Sequence, residues 1–70
     1  MLEIKLITIE NSQIKTVIVG KCNLSNHNQK IAKLADKYFD RWEFRKSNPH
    51  ALTSYIADIE TGDVLTVEPV

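Results

Sequence analysis

One amphipathic helical stripe, flanked on both sides by stretches that alternate every second residue, leaves this chain little choice of architecture. Ile31, Leu34, Ala35, Tyr38 and Trp42 recur at the spacing that lines a single face of a helix. Ser25 or Asn26 can cap it, Gln29 stands three residues after Asn26 as in a capping box, and a helix is expected over about residues 25–40. Upstream, Leu2, Ile4 and Leu6 alternate with Glu3 and Lys5, the pattern of a strand with one buried face. Ile7 and Ile9 then change parity, which predicts either burial on both faces or a bulge. The polar cluster Glu10-Asn11-Ser12-Gln13 should turn the chain into a second strand, Ile14 to Val19, completing a hairpin. The unbroken run Val17-Ile18-Val19 predicts that this second strand lies inside the sheet, with Gly20 ending it.

Beyond the helix, Arg41 to Lys46 alternates aromatic with charged residues, so Trp42 either closes the helix face or opens a third strand. The stretch 51–59 reads two ways. Leu52, Tyr55, Ile56 and Ile59 fit a helix capped by Asn48 with Pro49 at its first position, whereas Ala51, Thr53, Tyr55, Ala57 and Ile59 fit a strand. Glu60-Thr61-Gly62-Asp63 then turns into a last strand, Val64 to Val67. The expected fold is α+β: one sheet of four to five strands, with an N-terminal hairpin, packed on one helix in the order ββαββ or ββαβββ. Its core should hold Ile4, Leu6, Ile18, Ile31, Leu34, Tyr38 and Leu65.

Seventy residues leave room for a single domain, 1–70. Cys22 is the only cysteine, so an internal disulfide is impossible and a thiolate zinc site lacks ligands. Stability must then come from packing or from association, and a homodimer or a bound partner is the natural expectation. The N-terminus has neither the basic region nor the apolar core of a signal peptide, and no apolar run exceeds three residues, so the chain reads as cytoplasmic with no membrane segment. Net charge is zero. It is unevenly spread, however: residues 21–46 set seven cations against three carboxylates, and residues 47–70 carry four carboxylates and no cation.

The element order, together with Leu52-Thr53-Ser54-Tyr55, Ile59 and Gly62-Asp63-Val64-Leu65-Thr66-Val67, resembles the ubiquitin-like β-grasp domains. The small ubiquitin-like accessory proteins of bacterial type VII secretion have a similar ending. Val67-Glu68-Pro69-Val70 lacks the diglycine tail of conjugated modifiers and sulfur carriers, so neither activity is carried over. What the resemblance implies is a β-grasp-like scaffold that binds other proteins through its sheet surface.

The residues offer little chemistry. Cys22 and His27 stand five apart, but no glycine-rich nucleophile turn, oxyanion motif or third group accompanies them, and a small buried cysteine and a capping or part-buried histidine account for both. His27 and His50 would need carboxylate help to hold a metal. Asp58, Glu60 and Asp63 surround Gly62 as a solvated turn would. No catalytic, cofactor or metal residue is therefore assigned, and the protein is not expected to be an enzyme. The candidate interaction surface is the basic stripe of Lys30, Lys33, Lys37, Arg41, Arg45 and Lys46. The function expected is a non-enzymatic protein-interaction module, such as an adapter, regulatory subunit or inhibitor, binding a protein partner through its sheet or an edge strand. The alternative is a small nucleic-acid-binding domain using Lys30 to Lys46, with Trp42 and Phe44 to stack bases.

Overall fold

In a computed structural model that describes residues 1–48 and 50–70, the chain runs β1 (Leu2–Glu10), β2 (Gln13–Cys22), α1 (His27–Tyr38), β3 (Trp42–Arg45), β4 (Tyr55–Asp58) and β5 (Val64–Pro69). The five strands form one antiparallel sheet in the order β2-β1-β5-β4-β3. The α+β class and the N-terminal hairpin are as the sequence predicts.

The hairpin turns tightly because Asn11 and Ser12 both adopt left-handed backbone, with φ of 50° and 63°. Two consecutive residues of that hand make the two-residue connection whose twist matches the flanking strands. From Glu10↔Gln13 the ladder runs without fault to Lys5↔Ile18, then jumps to Ile4↔Gly20. Val19 is the extra residue of a bulge. An unbroken ladder from Ile4↔Gly20 would set Ile18 opposite Leu6, on the face that meets the helix. The bulge instead pairs Leu6 with Val17 and sends Ile18 to the far face beside Lys5, where it is 54% exposed. Strand β1 itself alternates without a break against β5, so Ile7 and Ile9 simply lie on the face away from the helix, half-buried and exposed respectively, and Ile18 is not a core residue.

The position of β2 also departs from expectation: it is an edge strand, not an inner one. Its run of β-branched residues does not signal burial on both faces, since every side chain from Gln13 to Ile18 is exposed.

Helix α1 packs chiefly over β4 and β5. The core between them holds Ile4, Ile31, Ala35, Phe39, Ile56, Leu65 and Val67, with Leu6 and Leu34 half-buried at its margin. The helix is shorter than expected. Asn26 is its N-cap, but the Asn26 side chain accepts a hydrogen bond from the Asn23 amide (2.9 Å) instead of capping, so no capping box forms. At the other end the chain turns extended at Phe39, whose amide donates to the Ala35 carbonyl (2.7 Å). That turn drives Phe39 into the core and leaves Tyr38, on the expected stripe, exposed with the Lys37 ammonium 5.6 Å from its ring centre. Trp42 opens β3, half-buried, and its indole N–H reaches back to Asp36 on the helix (3.0 Å).

The ambiguous stretch resolves into a short strand, β4, preceded by a loop; Pro49, proposed above as a first helical residue, lies outside the described residues. Four residues of β4 meet β3 on one side, while β5 meets it on the other through Ile56↔Leu65 and Ala57↔Val64.

Candidate functional site

The feature least explained by folding alone is the free edge of β2. An edge strand leaves a row of backbone N–H and C=O groups unpaired, a template for another extended chain. Globular proteins usually keep such edges short, polar or covered. Strand β3, at the opposite edge, follows that rule: it has four residues, and Glu43 and Arg45 form an ion pair along it. Strand β2 does not. It spans ten residues and carries Ile14 (74% exposed), Val17 (43%) and Ile18 (54%).

The hairpin extends beyond the rest of the sheet, because β5 pairs with β1 only from Leu2 to Ile7. Paired residues of neighbouring strands share a face. Ile9 and Ile14 therefore lie together on the face away from the helix, followed by Ile7 with Thr16 and Lys5 with Ile18. Val17 sits on the helix side with Leu6, near the margin of the core. Beyond this apolar half, the same outer face is polar: Lys5 pairs with Glu68 at 2.7 Å, and the carboxylate holds the ammonium above the ordinary lysine range.

The basic stripe is only partly assembled. Lys30, Lys33 and Lys37 line the exposed side of α1, spaced by three and four residues, and make no ion pair among the described residues. Arg41 instead approaches Glu60 at 3.9 Å, and Arg45 bonds Glu43, whose hydrogen bond raises the guanidinium further above its usual value. Lys46 is exposed in the loop after β3. Two of the six cations thus already face carboxylates, and Phe44 stacks edge-on against Trp42, ring centres 5.5 Å apart.

Cys22 ends β2 as a buried core residue. Burial pushes its thiol above the ordinary range, with Lys30 offsetting part of the effect. A protonated thiol is a poor nucleophile. Alkylation of the folded protein with iodoacetamide at pH 7.5 should therefore run several-fold slower than alkylation of glutathione, and reach the rate of a free thiol only in denaturant. Equal rates would show that the thiol is as accessible and as readily ionised as a free one. A shallow hollow of about 140 Å³ beside it is lined by Met1, Lys21, Asn23, Asn26 and Lys30.

His27 is buried in the first turn of α1, its Nδ1 without a protein partner among the described residues, whereas His50 is exposed in the β3–β4 loop. No group of three or more metal-ligating side chains comes together among the described residues. Asp58 corrects the expectation of a solvated turn, since it is buried and its carboxylate accepts from the amides of Glu60 and Thr61; Asp63 is half-buried, and of the three carboxylates only Glu60 is exposed. A wider hollow of about 230 Å³ between the β3–β4 loop and β5 is lined by residues of both, from Ser47, Thr53, Ser54 and Tyr55 to Thr66, Val67 and Glu68. Among the described residues no helix is long and apolar enough to cross a membrane.

The β2 edge is a candidate that residue-type motifs do not register, because the groups it offers are backbone. The signal available in the sequence was the run Ile14 to Val19 itself, which is equally the signal of an inner strand. Comparison with known proteins adds no assignment: no family model, no curated protein and no solved structure matches the chain.

Proposed function

We propose that this protein is a non-enzymatic interaction module, an adapter, regulatory subunit or inhibitor, that holds a partner polypeptide along the free edge of β2. The observation that carries this reading is a ten-residue edge strand whose side chains from Gln13 to Ile18 are all exposed, three of them large and β-branched. Strand addition uses main-chain hydrogen bonds for affinity and alternate side chains for selection. The hairpin offers both: an unpaired backbone row, and apolar contacts on the two faces that border it.

The test is a paired replacement, Ile14→Thr with Ile18→Thr, which keeps β-branching and removes apolar surface. Capture of the partner should fall sharply while circular dichroism and melting stay as in the wild type. The triple replacement of Lys30, Lys33 and Lys37 by glutamine should leave capture intact. The opposite pattern, with oligonucleotide binding that disappears in the lysine variant and weakens with salt, would transfer the function to the helix face and to nucleic acid.

A further inference from the structure

The charge on β2 narrows the partner further, and the inference rests on the strand-addition reading above. The strand carries Lys15 and Lys21 and no acidic residue. Lys21 stands opposite Glu3 on β1, but Lys15 stands opposite Thr8, so the hairpin sets no carboxylate across from it. Lys15 also lies within Gln13–Ile18, the stretch that precedes the bulge and can accept a regular ladder.

A second copy of the chain fits this edge poorly. Two-fold pairings centred on the bulge-free stretch place their axis at Lys15 or at Thr16. The first sets the two Lys15 side chains directly opposite each other, and the second sets them diagonally on one face, roughly 7–8 Å apart. Like charges in those positions are repulsive, so the lysine that guards the edge against self-pairing leaves it open to a strand of the opposite sign.

We infer that β2 receives an extended segment of a different protein, about six residues long, that alternates β-branched residues with carboxylates, one carboxylate lying across from Lys15. The apolar residues of such a segment would lie beside Ile14 and Ile18 on the outer face, and its carboxylates would share the helix-side face with Lys15 and Val17.

The experiment titrates two hexapeptides into isotope-labelled protein at low salt, one alternating valine with glutamate, the other valine with lysine. The glutamate peptide should shift and protect amides of Gln13–Ile18 and bind about tenfold more tightly than the lysine peptide. Lys15→Glu should reverse that order, and salt should reduce the difference. Binding of both peptides at β2 with equal affinity, unchanged by Lys15→Glu, would overturn the acidic preference while leaving strand addition standing. Failure of both peptides to perturb β2 would overturn both readings. A dimer of the wild type in sedimentation velocity, dispersed by the Ile14→Thr and Ile18→Thr replacement, would make a second copy the occupant and overturn the acidic-partner inference alone.

Discussion

Ile31→Ala is expected to remove about 2–5 kcal/mol of folding stability, the range for deleting a fully enclosed aliphatic side chain. Ile31 has no exposed surface and lies on the helix face that meets Ile4, Ile56 and Leu65, so the cavity left behind has no solvent route to collapse into. At roughly 0.05–0.15 kcal/mol per residue, a chain of this length is stable by only about 4–10 kcal/mol. A single truncation therefore takes a large share of the total, about half when the two ranges are matched end to end. The melting temperature should fall by on the order of 10–30 °C, and urea unfolding should show a lower midpoint with unchanged slope. Ile18→Thr supplies the contrast. Because the bulge puts Ile18 on the uncovered face of the edge strand, its replacement should change stability by about 0.5 kcal/mol or less. Equal losses from the two replacements would mean that Ile18 faces the helix and that the bulge is misplaced.

That pair of residues also marks the boundary of what could be read from the sequence. The helix, the hairpin and the last strand were legible because each is encoded by a local period, and Ile31, Ala35, Ile4 and Leu65 sit where those periods put them. Ile18 departs from the expected core because a bulge is a decision about pairing: nothing within the strand says whether Val19 is counted or skipped. Tyr38 departs from it for a related reason, since the stripe continues through it while the helix stops there and Phe39 takes the interior place.

Sheet order is less local still. Val17-Ile18-Val19 looks the same whether a neighbour lies on both sides or on one, and the neighbour β1 takes on its other side, β5, is more than fifty residues away along the chain. The candidate site inherits that difficulty. Of the six cations expected to form one surface, Arg41 and Arg45 are diverted to Glu60 and Glu43, one contact across the fold and one within a strand. The surface that stands out in their place is defined by where a strand lacks a neighbour, a property of the whole sheet.

Asp58→Ala should cost about 2–3 kcal/mol, because hydrogen bonds to a charged acceptor are each worth roughly 1.5–3 kcal/mol and the two that are lost can be replaced in part by water. Asp58 is the last residue of β4, 8% exposed, and Oδ1 accepts from the amides of Glu60 (2.7 Å) and Thr61 (3.1 Å). The same residue closes the turn with its backbone: its amide donates to the Asp63 carbonyl (2.8 Å), and its carbonyl accepts from Gly62 (3.0 Å). Gly62 makes this closure possible with φ of 82°, a conformation that side-chain-bearing residues rarely adopt. The turn carries the chain from β4 into β5, the strand that joins the outer pair β4-β3 to the hairpin, so loosening it loosens the link between the two halves of the sheet. Asp58→Asn keeps an oxygen acceptor in the same position and should cost less than about 1 kcal/mol, while Glu60→Gln should stay within about 0.5 kcal/mol. Urea unfolding of the three variants at pH 7 decides the matter. A loss for Asp58→Asn as large as for Asp58→Ala would show that the carboxylate acts through its charge. No loss for Asp58→Ala would show that the backbone bonds around Gly62 hold the turn unaided.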